Sequence, residues 1–510
     1  MVDGEHTTAS GSGSARKAEG RSPESERYAA RQPLTPLQRE FDVHWHRSEQ
    51  VAPLVDATLA ILERTGVQVD APAALELFAD AGAAVDRGSK RVRLSPDLVE
   101  RALKTAPRTF TLGARDPGLD LPLSPDRTYV STDGCGTEVI DRATGQRRAS
   151  TKADLAELTH LQDYLGSISF WWPTVGAGDC GETAQVHEVE VGLDWTEKHL
   201  MGMVQGERLA CATVEMARAV AGGADELRRR PLISDLIGTV SPLVLDRDAT
   251  EAALVFAEAG VPVCWVTMPT LGTTAPATRP GAWALGAAEM VAGAVLLQLA
   301  YPGTPVMTSI MQSHADPRTG TTISWPIELR APFTPHELMH AFGLPVFSGA
   351  GGTDCPEAGG WQAGVEEALG VCTGLFEEAE MSAGIGLRAT YQLSTPESLV
   401  LDNEIYRLVA HLLRDETVSD ETLALDTIDE VGPGGHFLAA RHTRKHLRDS
   451  VRLGMCHQPA KDGLAYRDPL EAGRERADEI LAEYEPRRLP PDLRTELAGI
   501  VAALDADVKG

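Results

Sequence analysis

DRDATEAALVFAEAGVPVCWVTMP, residues 246–269, joins the two signals that decide the fold: an amphipathic helical run, then a short apolar strand. The unit recurs from about Thr151 onward. Candidate strands read SISFWWPTVG (167–176), HLMGMVQG (199–206), ISDLIGTVSPL (233–243), VPVCWVTMP (261–269), TPVMTSIMQ (304–312), LPVFSGAGG (344–352) and EMSAGIG (380–386). Between them fall helices such as LACATVEMARAVAGG, WQAGVEEALGVCTGLFEEA and PESLVLDNEIYRLVAHLLRD. Seven such units, with an eighth strand drawn from TYVSTDG or RATYQLS, predict an α/β fold of the (β/α)8 barrel type; an open doubly wound sheet is the alternative. No G-x-G-x-x-G follows an early strand and no P-loop occurs, so nucleotide and dinucleotide readings lack support.

Outside the barrel, expected over 151–440, residues 34–150 read as an α/β extension. Helical runs VDATLAILERTGVQV and PAALELFADAGAAV end near Gly66 and Gly82, SPDLVERALKTAP starts with Ser95 as cap and Pro96 in the first turn, and turn-rich β-structure follows. Residues 441–510 read as a C-terminal helical extension, and 1–33, rich in Ser, Gly and charge without an apolar core, as a disordered tail.

The 510 residues suffice for one large domain or two to three ordinary ones, and 43% apolar with 24% charged residues is the composition of a globular enzyme. A net charge of -27 disfavours nucleic-acid partners. Seven scattered cysteines with no C-x-x-C pair read as reduced thiols, and no uninterrupted apolar run reaches membrane-spanning length, since the longest candidate carries Glu289. Both point to a cytoplasmic protein with no membrane partner.

A barrel places its site on the loops at the C-terminal ends of the strands. That rule selects Trp171, Trp172 and Pro173, Gln205 and Glu207, Thr267 to Pro269, Gln312 to Asp316, and Gly349 to Glu357. In the last of these, GAGGTD, glycine permits close backbone approach to a ligand or simply a tight turn. A competing site is HELMH, 336–340, which on a helix sets His336 and His340 on one face with Glu337 between them, as in zinc hydrolases. Zinc needs a third ligand, for which Glu357 and Glu366 are the nearest downstream candidates. The motif falls where a crossover helix belongs, however, away from the mouth, and the expectation is that no metal is bound.

Several long segments, LAILERTGVQVD, RVRLSPDLVERALKTAPRTFTLGARDP, GLPVFSGAGGTD, QAGVEEALG, SLVLDNEI and EVGPGGHFLAARHTRKHLR, resemble the trimethylamine:corrinoid methyltransferase family from about Val55 to Glu485. The resemblance implies a (β/α)8 barrel that passes a methyl group from an amine to a corrinoid (cobalamin) on a separate small corrinoid-binding protein. Founding members contain pyrrolysine. This chain uses only ordinary residues, so it resembles the non-pyrrolysine branch, whose members demethylate quaternary amines such as glycine betaine. Where family members often carry a DSK-type stretch, the text here is TDCPEAGGWQAG; Asp354 and Gln362 are kept and the lysine is absent.

The expected site is a cation cage of Trp172, Trp265, Trp325, Phe347 and Tyr391. Asp354 or Glu357 would add negative charge, and His314 or Arg330 would hold a substrate carboxylate. Gly351, Gly352, Gln312 and His436 are candidate loop and corrinoid contacts. His442 and His446, amid Arg and Lys, read as a basic docking strip or a solvated helix face. A homo-oligomer is compatible with the sequence. The rivals are a zinc-dependent hydrolase and a non-catalytic betaine-binding scaffold.

Overall fold

A computed structural model describes residues 28, 30–38, 48–134, 136–320, 322–323, 336–349, 351–376, 378–412, 417–450, 454–460 and 463–509. Eight strands form the centre: β1 (Arg127–Thr132), β2 (Phe170–Trp171), β3 (His199–Gly202), β4 (Ile233–Gly238), β5 (Val263–Thr267), β6 (Val306–Ile310), β7 (Phe347–Ser348) and β8 (Met381–Ile385). Each is followed by a helix: α1 (Lys152–Tyr164), α2 (Ala184–Trp195), α3 (Glu207–Ala221), α4 (Arg247–Ala259), α5 (Arg279–Ala300), α6 (His336–Ala341), α7 (Trp361–Phe376) and α8 (Pro396–Leu412).

The strands close into a ring. β2 to β6 pair in order, all parallel. Thr308 bridges Val346 in parallel, joining β6 to β7; β7 pairs with β8, and β8 with β1. The last seam, β1 to β2, is made by Ser169 N–H donating to Val130 O at 2.6 Å and by the parallel bridge between Gly136 and Val175. No edge remains, which is the (β/α)8 architecture. Its first strand is TYVSTDG, so the ring begins before residue 151.

Local chemistry explains the alternation. In the quoted unit Asp246 caps α4 by accepting from Ala249 N–H, and Gly260 ends it in the left-handed region at φ 77. Along each strand, side chains alternate between two cores. Tyr129, Phe170, Trp172, Met201, Leu236, Val266, Met307, Phe347 and Met381 fill the ring. Trp171, Ile237, Trp265 and Ile310 face outward beneath the helices.

The inner core also contains Leu112, Leu121 and Leu123, with Phe110 against it. They come from a hairpin, Thr111–Leu112 with Leu121–Pro122, that floors the N-terminal end of the barrel, where Gly113 N–H donates to Pro231 O at 2.8 Å. His199 stands on this floor between Gly113 O at 2.7 Å and Ser234 Oγ at 2.9 Å. Burial lowers its pKa to about 4.

α5 is the one described helix long and apolar enough to cross a membrane, yet 94% of its apolar window is buried. It lies between the strands and the N-terminal helix Ser48–Ala60, whose Thr58 hydroxyl donates to Ala284 O at 3.4 Å. Six of the seven cysteines are described, and all six are free; Cys135 lies outside the described residues.

A methyl group on Gly293 of α5 would stand 2.6 Å from the Trp265 ring. Gly293→Ala therefore costs about 1–3 kcal/mol of stability, read as a lower urea midpoint at unchanged m-value. His199 adds a pH test. Its folded pKa lies below the unfolded value of about 6.5, so the neutral ring is favoured by folding. The stability it carries is complete above pH ~6.5 and drains away as pH falls toward ~4, by up to about 3 kcal/mol. In His199→Gln, that part of the pH slope in unfolding free energy disappears.

Candidate active site at the barrel mouth

A cavity of about 430 Å³ opens at the C-terminal ends of the strands. Its wall takes Asp133 from the end of β1, Trp172 from β2, Met203 from β3, Leu236 from β4, Val266 and Met268 from β5, Met311, Gln312 and Ser313 from β6, Gly349 from β7, and Thr390, Tyr391 and Gln392 from the loop after β8. All eight strands thus contribute. Among the described residues the lining holds one carboxylate, Asp133, and no Lys, Arg or His. Two buried polar atoms on the wall, Trp172 Nε1 and Gln312 Oε1, have no protein partner among the described residues.

Trp172 is held edge-on to Phe347, ring centres 5.4 Å apart, and Phe347 in turn to Phe170 at 6.3 Å. The indole leans on Gly134, where a Cβ would fall 2.3 Å from Cε2. Tyr391 closes the other side. Ala389, Thr390 and Tyr391 have φ of 54, 55 and 64, a run of left-handed residues costing about 1–3 kcal/mol each. The loop is tied to the one after β7: Ala389 N–H donates to Cys355 O at 3.2 Å and Thr390 N–H to Thr353 O at 3.3 Å.

Buried carboxylates behind the wall hold the loops. Glu289, within the apolar α5, accepts from Leu243 N–H at 2.8 Å, Ser241 Oγ at 3.1 Å, Thr239 Oγ1 at 2.5 Å and Thr267 Oγ1. It ties the loop after β4 to the end of β5. Asp235 accepts from Val204 N–H at 3.1 Å beside the loop after β3, and burial raises its pKa well above the carboxylate range. Behind the glycine-rich loop, Glu366 accepts from Asp354 N–H at 3.1 Å, Gln362 Nε2 at 2.7 Å and Thr353 Oγ1. Glu367 accepts from Gly352 N–H at 3.3 Å. Arg388 donates to Asp402 Oδ1 at 2.7 Å and Ser398 Oγ at 2.9 Å. Burial, then the charge of Asp402, holds Glu367 well above its usual range; burial also raises Asp402 against the pull of Arg388.

Trp172, Gln312 and Tyr391, all expected at the site, line the cavity, as do Met268, Ser313 and Gly349 from the strand-end segments selected by the barrel rule. Phe347 lies beneath Trp172, fully buried. Trp265 does not reach the cavity. The two-residue period of β5 turns Cys264 and Val266 inward, so Trp265 packs outward against α5. Trp171 faces outward for the same reason, with Nε1 donating to Thr159 Oγ1 at 2.9 Å. Trp325 and Arg330 lie outside the described residues. His314 sits next to Ser313 on the strand Ser313–Ala315, outside the lining.

Glu357 is exposed and Asp354 half-buried, and neither lines the cavity. Gly351 and Gly352 use their lack of a Cβ to pack on the protein itself: a Cβ on Gly384 would fall 2.1 Å from Gly351 Cα, and one on Gly352 would fall 2.8 Å from the Tyr391 ring. Gln205 and Glu207 are exposed at the start of α3. His436 is exposed beyond α8. Asp133, Met203 and Met311 were not expected. Placing the first strand at TYVSTDG would have marked Asp133 as a strand-end residue; the methionines, as generic apolar residues, carried no signal.

HELMH lies at the opposite end of the barrel. His340 Nε2 is 3.1 Å from Glu380 Oε1, and the same carboxylate accepts from Val346 N–H at 2.8 Å, both at the N-terminal feet of β7 and β8. Glu366 is committed to the mouth loop and Glu357 lies on that same loop, so neither can complete a site with the histidines. Among the described residues, no group of three or more His, Cys, Asp or Glu is arranged to hold a metal.

The family model described as trimethylamine methyltransferase (MTTB) matches residues 11–508. The chain belongs to this family. A trimethylamine methyltransferase MttB of Desulfitobacterium hafniense (strain DSM 10664 / DCB-2) is 32% identical over 90% of this chain and 94% of its own. A glycine betaine methyltransferase of D. hafniense (strain Y51) is 29% identical over 90% and 97%. The crystal structure of the Methanosarcina barkeri monomethylamine methyltransferase (MtmB) aligns over 84% of this chain and 92% of its own at 10% identity, with a TM-score of 0.39; the fold rests instead on the strand pairing above. This MTTB-family chain is a methyltransferase, and its mouth cavity is the candidate site.

Glu289→Leu leaves at least three hydroxyl or amide donors without their acceptor at the mouth. A loss of about 3 kcal/mol or more in unfolding free energy is expected, with Glu289→Gln intermediate.

Proposed function

We propose that this enzyme removes a methyl group from a small quaternary or tertiary amine and delivers it to a corrinoid on a separate carrier protein, in the cytoplasm. The observation that carries the reading is the lining: an indole, a phenol, thioethers and a single carboxylate, with no cationic side chain among the described residues. Such a wall suits a positive guest. Each favourable ring contributes roughly 0.5–2 kcal/mol to a cation, and Asp133 adds charge of the right sign. A volume of about 430 Å³ also lies within the range of small-molecule sites.

The corrinoid, when its carrier docks, supplies a low-valent cobalt nucleophile. The residues described here would do the rest. Trp172 and Tyr391 would hold the ammonium, Asp133 would balance its charge, and the methionines and Leu236 would exclude water from the methyl carbon. With a quaternary substrate the C–N bonding pair stays on nitrogen and a neutral tertiary amine departs, so no general acid is required. That agrees with a cavity wall carrying one carboxylate. Trp172 Nε1 and Gln312 Oε1, lacking protein partners, are free to orient a polar substituent of the amine.

The decisive measurement is the cob(I)alamin spectrum with purified enzyme across trimethylamine, glycine betaine and other quaternary amines. Loss of the cob(I)alamin band with at least one amine is expected; an unchanged spectrum with all of them, despite amine binding, would mean a scaffold. With the responsive amine, Trp172→Ala should lower kcat/KM about tenfold or more while Trp172→Phe keeps most of it, and Asp133→Asn should raise KM. Unaltered kinetics in Trp172→Ala and Asp133→Asn would remove the cage.

A further inference from the structure

At the N-terminal end of the barrel, opposite the mouth, a second cavity of about 350 Å³ opens between the feet of β3 and β4, the end of α3, the floor hairpin and the segment leading into the C-terminal helix Pro491–Lys509. Five arginines from three stretches of chain line it: Arg115 from the turn of the floor hairpin, Arg229 and Arg230 just before β4, and Arg487 and Arg488 before the C-terminal helix. Leu232, Leu489 and Leu493 add an apolar wall. In a chain of net charge -27, this concentration of guanidinium groups stands against the sign of the whole.

Four carboxylates answer four of the arginines. Arg229 meets Glu226, Arg230 donates to Asp120 at 2.8 Å, and Arg487 lies 3.3 Å from Glu197. Arg488 meets Asp194, with its guanidinium 3.6 Å over the Trp195 ring. Glu197 is shared, since Arg31 also pairs with it at 3.0 Å. Arg115 has no carboxylate partner among the described residues: Nε donates to Thr196 O at 2.8 Å and Nη2 to Arg487 O, which leaves Nη1 undonated. Nη1 of Arg229, Arg230 and Arg488 likewise meets no acceptor among the described residues. Burial lowers the pKa of Arg115 against the pull of Glu197, a strain on its charge that an anion beside it would offset. The surrounding backbone is pinned, with Leu489 N–H donating to Asp194 at 3.1 Å and Asp116 N–H to Glu197 O at 3.2 Å.

We propose that this cavity binds a small molecule bearing phosphoryl groups, whose oxygens accept from Arg115 and the arginines around it. Geometry favours a phosphoryl group over a carboxylate. Forks reaching a guest from three stretches of chain suit a tetrahedral group with acceptor oxygens on every side, whereas a carboxylate accepts a fork only in its own plane. A cavity of about 350 Å³ holds the guest to small-molecule size, and repulsion by a net charge of -27 disfavours an extended polyanion such as nucleic acid. A guest on Arg115 and Arg487 would join the floor hairpin, the strand feet and the C-terminal segment, so it acts on stability. The site lies at the far end of the barrel from the mouth, and the inference stands independently of the amine substrate.

The test is isothermal titration calorimetry of the full chain with inorganic pyrophosphate, in the absence of any amine. Saturable binding with a Kd below about 1 mM is expected, together with a rise in Tm. Citrate, of comparable charge but carried on planar carboxylates, should bind at least tenfold more weakly. Because Arg115 also holds Thr196 and Arg487, the deciding variant is the double Arg229→Gln/Arg487→Gln, whose side chains are 68% and 81% exposed. It should weaken pyrophosphate binding at least tenfold with far-UV circular dichroism unchanged, while Arg87→Gln, an exposed arginine of the N-terminal extension, binds as wild type. ADP separates the sources: tighter binding than pyrophosphate identifies an organic phosphate resting on the leucine wall, and equal or weaker binding an inorganic one. Absence of saturable pyrophosphate binding, equal affinity for citrate, an indifferent double variant, or a loss in Arg87→Gln matching that of the double variant would each overturn the proposal.

Discussion

The backbone seam of Arg127–Thr132 with its two neighbours carries the architecture. Met381 to Ile385 pairs on one side and Ser169 to Trp172 lies on the other, so this segment turns an open sheet into a ring. Ser131 Oγ donates to Phe170 O at 2.6 Å and Thr132 Oγ1 to Trp172 O at 3.0 Å, adding side-chain bonds to a seam short of regular ladder pairs. Closure fixes which way every strand faces. It puts Trp172 inside and Trp265 outside, and it brings Asp133 to the rim.

Charge is distributed with a clear division of labour. Glu289, Asp235, Glu366, Glu367 and Asp402 are withdrawn behind the wall, where they accept from loop amides, hydroxyls, Gln362 or Arg388. The wall itself is left mostly apolar and polarisable. A rim built from left-handed residues at 389–391 costs energy, and the contacts of these residues to the loop after β7 keep it in place. A preorganised cavity of this kind does not need its occupant to assemble it.

The barrel was legible because apolar strands and amphipathic helices alternate at 30- to 40-residue spacing, a pattern that periodicity detects directly. The mouth was legible only in part. Trp172, Gln312 and Tyr391 could be found from their position after strands, whereas Trp265 could not be separated from Trp172 without the register of β5. The glycines of GAGGTD announce close backbone approach but not the partner, which proved to be Gly384 and Tyr391. HELMH matched a metal pattern on spacing alone; spacing says nothing of which end of a barrel a helix reaches.

The hairpin beneath the barrel closes its N-terminal end. With Phe110, Leu112, Leu121 and Leu123 stoppering one end, the cavity among the described residues has its doorway at the other, the C-terminal ends of the strands. A carrier protein that caps this doorway would imprison the spent amine until it departs. On the function proposed above, traffic would then run in sequence, guest first and carrier second.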